Sequence, residues 1–213
     1  MIVVENGNMP RRRGRPRSFD VGDAIGKAAL LFWEQGYEGV SVDQLTAAMG
    51  ITTQSFYAAF GSKRKLYEEA LAWYEREVTQ SVRDALTGEK DVVPAVRNTL
   101  EASARLFAGG KYPLGCMRST AGINTSRENE AVARYATDQR MATVAIFRAR
   151  LEQGVADGQV AEAADTHALA LYLNAVLVGM AVAARDGVTM EDLLATAELA
   201  SSVIQHNLTR PRP

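Results

Sequence analysis

The sequence predicts an all-α protein, three small helices followed by five or six larger ones. Three observations carry that expectation. Apolar residues recur at steps of three and four along most of the chain, the period of a helix with one buried face. A Ser, Thr or Asp stands before many of these stretches, where its side chain can accept a bond from a free backbone N–H of the first turn. No segment alternates apolar and polar residues long enough to make a strand, and neither an internal repeat nor a sustained heptad is present.

Residues 1–18 lack apolar periodicity and contain Arg-Arg-Arg-Gly-Arg-Pro-Arg at 11–17, which reads as a flexible basic arm. Within it, Arg13-Gly14-Arg15-Pro16 resembles an AT-hook core, whose arginines enter the narrow minor groove of A·T-rich DNA. Asp20 can cap a first helix in which Val21, Ile25, Ala28 and Phe32 form the inward stripe up to Gly36. Ser41 then caps a short second helix, with Gln44 completing a capping box and Val42, Leu45 and Met49 on one face. Gly50 ends it in the left-handed conformation that suits glycine. Thr52 or Thr53 caps a third helix, which turns Phe56 and Phe60 to the core and leaves Thr52, Thr53, Gln54, Ser55 and Tyr57 outside. Two short helices joined by a tight turn, with small hydrogen-bonding side chains at the outer end of the second, describe a helix-turn-helix whose second helix enters the major groove.

Charge agrees with that reading. The whole chain of 213 residues carries 24 basic and 25 acidic residues, yet residues 1–66 hold nine Lys or Arg against six acids and the remainder is net acidic. Positive charge is gathered where a polyanion would bind. One cysteine cannot form an intrachain disulfide, and no apolar run at the N-terminus matches a signal peptide, so a cytoplasmic location is expected. Residues 168–184 approach the length of a membrane span. The run is short and Ala-rich and is followed directly by Arg185-Asp186, which favours a helix buried on all sides and no membrane partner.

After Ser62, another N-cap, residues 63 to about 86 read as one long helix of about 36 Å. Gly88 breaks the pattern. Residues 92–107 form a helix that tolerates Pro94 in its first turn. The loop Gly109–Cys116 is rich in Gly and Pro, the kind of segment that borders binding sites. A short helical piece covers 117–123, and Thr125 with Glu128 forms a capping box for a helix reaching about Ala156. Asp165 or Thr166 starts the Ala-rich helix, and a box of Thr189 with Asp192 opens the last one.

The block 19–71 resembles the DNA-binding domain of the tetracycline-repressor (TetR) family. The matching details are the Phe32 to Gly36-Tyr37 ending of the first helix, the Ser-Val-Asp-Gln-Leu opening of the second, Ser55-Phe56-Tyr57-Ala58-Ala59-Phe60 in the third, and Gly61-Ser62-Lys63-Arg64-Lys65-Leu66 opening the fourth. The resemblance implies a DNA-binding domain over 19–66 and a ligand-binding and dimerisation domain over 67–213, joined by the long helix as a lever. It further implies a homodimeric repressor that leaves a palindromic operator when a small molecule binds.

Within this frame Thr52, Thr53, Gln54 and Tyr57 are expected in the major groove, with Ser55, Lys63, Arg13 and Arg15 positioning the DNA backbone. Ala175, Gly179 and Ala183 share one face of the Ala-rich helix and allow close approach of a second copy. A small hydrophobic effector is expected under the Gly109–Cys116 loop, lined by Trp73, Phe107, Tyr112, Cys116, Met117 and Phe147, because a charged one would need a buried partner that the sequence does not identify. Cys116, with Lys111 and Arg118 near in sequence and a helix start beside it, is a candidate thiol switch, as in some members of the family. Two other classes compete less well. An enzyme built on Cys116 with His167 or His206 lacks any nucleophile signature, phosphate loop, metal cluster or cofactor motif. An architectural protein working through the basic arm alone leaves the helix-turn-helix unexplained.

Overall fold

The computed structural model describes residues 19–208, in which ten α-helices and one 3-10 turn account for the regular structure. Helix α1 (Val21–Gly39) is capped by Asp20, which accepts from the Asp23 N–H, and its helical path is interrupted at Gly36. Helices α2 (Val42–Met49) and α3 (Thr53–Phe60) complete the N-terminal unit. The capping box of α2 is present in both directions, Ser41 N–H to Gln44 Oε1 at 2.7 Å and Gln44 N–H to Ser41 Oγ at 3.1 Å. Phe32, Leu45, Phe56 and Leu66 of these helices and the start of α4 are fully shielded from solvent, and Trp33 of α1 is buried against Tyr74 and Tyr112. At roughly 1.5–3 kcal/mol for each large apolar side chain, this burial outweighs the few tenths per residue that propensity contributes in helices of eight residues.

The predicted long helix is two helices. Helix α4 (Lys63–Glu77) ends at Val78, and α5 (Gln80–Thr87) starts again after Thr79. Adjacent β-branched residues weaken the helix here, and the Thr79 hydroxyl donates to the Glu75 carbonyl at 2.9 Å. The Thr79 N–H reaches back to the Tyr74 carbonyl at 3.2 Å.

Helix α6 (Val92–Phe107) accepts Pro94 in its first turn, as expected, and α7 (Met117–Thr120) is a single turn. The expected box of Thr125 and Glu128 does not form. A 3-10 turn at Arg127–Asn129 precedes α8 (Glu130–Ala156) instead, and Ser126 N–H and Asn129 Nδ2 donate to Glu38 of α1 at 2.7 and 2.9 Å. These tertiary bonds hold the segment in place of a local cap. Helix α9 (Thr166–Arg185) is capped by Asp165, which accepts from Ala168 N–H. Before α10 (Met190–Leu208), Thr189 Oγ1 receives Asp192 N–H at 3.2 Å.

Helix α9 is long and apolar enough to cross a membrane. It is not buried on all sides as its composition predicted: Ala170, Leu173, Met180, Ala181 and Ala184 face the core, whereas Leu171 and Val182 are exposed.

Besides the bonds to Glu38, further ties join the N-terminal helices to the rest. Tyr37 N–H donates to the Ala121 carbonyl at 2.8 Å, Trp33 Nε1 donates to the Leu114 carbonyl at 3.2 Å, and both terminal nitrogens of Arg185 donate at 2.9 Å to the Trp33 and Glu34 carbonyls near the end of α1. Gly115 makes the close approach possible. Its φ is +80°, and a Cβ there would lie 2.7 Å from the Ala181 carbonyl oxygen.

Candidate nucleic-acid interface and ligand cavity

The turn between α2 and α3 is set by Gly50, whose φ of 68° sends the chain out of α2, and by Ile51 N–H, which donates to the Thr46 carbonyl at 3.0 Å. Thr52 then caps α3 by accepting from Ser55 N–H at 3.1 Å, and the two hydroxyls lie 3.0 Å apart. Phe56 and Phe60 are buried, so the helix has one free face. That face presents Thr53 and Gln54, both exposed, and Tyr57, 51% exposed. Ser55 is half-buried. The structure thus places the expected groove residues on one surface, with Thr52 engaged in the cap and Thr53, Gln54 and Tyr57 left outward.

Lys63 opens α4, with its ammonium 4.2 Å from the centroid of the Tyr37 ring. Burial against the ring lowers its pKa from the ordinary lysine value, and the neighbouring Glu38 carboxylate opposes that shift. The group is a positioned cation rather than a freely waving one. Arg64 pairs with Glu68 at 2.9 Å along α4, the solvated arrangement of an exposed helix face. Arg13 and Arg15 lie outside the described residues.

A cavity of about 280 Å³ lies between α4, α5, α6, α7, α8 and α9. Most of its wall is apolar, from Val82, Leu86, Leu106, Phe107, Phe147 and Leu177. One part is charged: Glu75 of α4, Arg83 of α5 and Arg118 of α7. Arg118 pairs with Glu75 and donates to the Thr143 hydroxyl at 2.6 Å, while Arg83 donates to the Glu75 carbonyl and stands 3.6 Å from its carboxylate.

Of the side chains expected at an effector site, Phe107, Cys116 and Phe147 line this cavity. Trp73, Tyr112 and Met117 do not. Trp73 lies against Gly26 of α1, where a Cβ would come within 3.2 Å of its ring, Tyr112 stacks on Trp33 with centroids 5.8 Å apart, and Met117 is wholly buried. Apolar character marks these six as candidates for the interior, but it does not say whether a buried side chain meets another helix or a void. Glu75, Arg83 and Arg118 were missed as wall residues for the converse reason, since charged residues on helices ordinarily face solvent.

Cys116 is 7% exposed and immediately precedes α7. The Tyr74 hydroxyl donates to its sulfur at 3.2 Å. Burial, and secondarily the charge and hydrogen bond of Cys116, raise the Tyr74 pKa well above the ordinary phenol value, so the donor keeps its proton.

On α9, Ala175 and Gly179 are exposed and Ala183 is half-buried, with nothing within 4 Å of a Cβ built on Gly179. Leu171 and Val182 extend the exposed stripe, and Leu199 of α10 is 67% exposed.

Residues 25–70 match the family model described as bacterial regulatory proteins, tetR family. The HTH-type transcriptional repressor ComR of Escherichia coli K12 is 30% identical over 188 residues, spanning 88% of this chain and 90% of ComR. The repressor BdcR of the same organism is 28% identical over 96% of this chain and 98% of its own length. Among solved structures, a cysteine-substituted form of the TetR-family regulator CifR in complex with 26-base-pair operator DNA superposes with a TM-score of 0.86 at 39% identity, covering 89% of this chain and 98% of that one.

Proposed function

The chain belongs to the TetR family of DNA-binding transcriptional regulators, and from that premise we propose that it is a cytoplasmic, non-catalytic repressor that holds a palindromic operator as a homodimer and releases it when the cavity is filled. The observation that carries the proposal is the free outer face of α3. With Phe56 and Phe60 spent on the core and Thr52 on the cap, the helix leaves Thr53, Gln54 and Tyr57 available to base edges. Residues 19–66 form the DNA-binding unit and 67–213 the regulatory one.

The dimer is supported by the exposed stripe on α9. Leu171, Ala175, Gly179 and Val182 follow one another at steps of four, four and three, so they stand in one row. A two-fold partner covers such a row and sets the two copies of α3 about one helical turn of DNA apart.

Release is supported by the position of the cavity. Its walls include α4, which begins at Lys63, and α7, which is tied to α1 through Ala121. A ligand that moves either helix moves the reading surface. A second route follows from Cys116, whose sulfur meets both the cavity and the Tyr74 donor: covalent modification there fills the same space.

Fluorescence anisotropy with DNA from upstream of the chain's own coding sequence tests the proposal. Saturable binding in register with a palindrome, lost at a scrambled site of equal composition, is the expected result. Equal affinity for both duplexes overturns it.

A further inference from the structure

We infer that the cavity takes an apolar molecule bearing one anionic group, a carboxylate or its chemical equivalent, and that Arg118 holds that group. The inference rests on reading the cavity as the effector site and refines the class of effector.

The charged residues on the wall are one acid, Glu75, and two bases, Arg83 and Arg118. The wall therefore carries an excess positive charge in surroundings that are mostly apolar, a balance that an anion restores and a neutral molecule does not. Arg118 is the more enclosed of the two bases, with its side chain 16% exposed against 36% for Arg83. Its terminal nitrogens meet Glu75 and Thr143, but its Nε–H is buried without a hydrogen-bond partner. The guanidinium is a planar fork of five donors, suited to a carboxylate at two points.

Glu75 gives the arrangement its exchangeable partner. Besides Arg118, its carboxylate has Arg83 at 3.6 Å and the Thr79 hydroxyl at 3.3 Å. When a ligand carboxylate takes Arg118, Glu75 keeps those two and is not left as a bare buried charge. The exchange cuts a tie between α4 and α7, the two helices through which the cavity reaches the N-terminal unit. Sequence reading offers no buried partner for a charged effector because the cation, Arg118, is brought in from a single-turn helix.

Titration calorimetry on the full chain with octanoate and phenylacetate, each beside its neutral partner octanol or phenylethanol, tests the inference. The carboxylates are expected to bind about tenfold tighter than the alcohols. Arg118→Met should abolish that preference, bringing each carboxylate and its alcohol to within about twofold of each other. Glu75→Gln, which removes the competing carboxylate, should widen the preference for the carboxylates over the alcohols, and it decides the matter if Arg118→Met does not fold. Matched affinities for acid and alcohol in the wild type, or a preference that survives Arg118→Met, overturn the anion assignment and leave the cavity reading standing. Absence of binding by all four compounds overturns both.

Discussion

The Tyr74 hydroxyl and the Cys116 sulfur lie 3.2 Å apart, the oxygen donating, with both residues on the cavity wall. A donor aimed at sulfur stabilises negative charge there as it reacts, and Tyr74, held protonated by burial, keeps donating across the whole neutral range. Tyr74→Phe should therefore slow the reaction of Cys116 with N-ethylmaleimide roughly fivefold, the equivalent of about 1 kcal/mol for one hydrogen bond. Stopped-flow rates measured against pH check this, and an unchanged rate would show that the contact has no chemical consequence. In the same preparation, modification should weaken operator binding in the wild type and leave Cys116→Ser unaffected. Full modification with undiminished affinity would leave the non-covalent route alone.

Gln54 and Lys63 should fail differently. Gln54→Ala removes a side chain able to meet adenine at two points, so base preference at about one position per half-site should relax by roughly 1–3 kcal/mol. Lys63→Ala removes a cation fixed over Tyr37, so binding should weaken evenly across sequences and the salt slope should fall by about one. Quantitative binding to a library of single-base operator variants at several salt concentrations separates the two, and coincident profiles would refute the assignment.

Gly179→Arg places a long charged side chain in the middle of the exposed stripe on α9, at a position with free space in the isolated chain. The monomer should stay folded by circular dichroism, its melting temperature lowered by the partner's share of the stability, while sedimentation shows a loss of dimer and operator affinity drops. A wild type that sediments as a monomer at micromolar concentration would remove the interface altogether.

Gly115→Ala should destabilise the fold by about 2 kcal/mol or more, because it combines a left-handed backbone with a Cβ 2.7 Å from the Ala181 carbonyl oxygen. Denaturant unfolding measures the loss. Since Leu114 next to it accepts from Trp33, the same substitution should also loosen α1 and reduce operator affinity at temperatures where the protein is still folded.

The helix order and the caps at Asp20, Ser41, Thr52, Ser62 and Asp165 were legible in the sequence because each depends on residues within one turn of one another. The same local logic failed at Thr125, where a potential box lost to distant bonds with Glu38, and at Val78-Thr79, where a continuous apolar stripe hid a break made by side chains competing for the Glu75 carbonyl. For the outer face of α3, burial of Phe56 and Phe60 is enough to define which residues remain. The cavity was only partly legible. Phe107, Cys116 and Phe147 fell on it, but whether Trp73 meets a void or Gly26 is decided by a helix fifty residues away in sequence, and the charged part of the wall has no periodic signature at all.

The break at Thr79 has a mechanical side. Helix α4 is a rod of about 22 Å, so a tilt of roughly 5° at its cavity end displaces its other end by about 2 Å, enough to spoil the fit of a side chain to a base edge. Had α4 and α5 been one rod, the same tilt would swing the part beyond Thr79, with Val82 and Leu86, through the opposite arc and into the side chains of α6. An articulation at Thr79 lets that outer segment stay with α6 while α4 turns, placing compliance beside the ligand and stiffness toward the DNA.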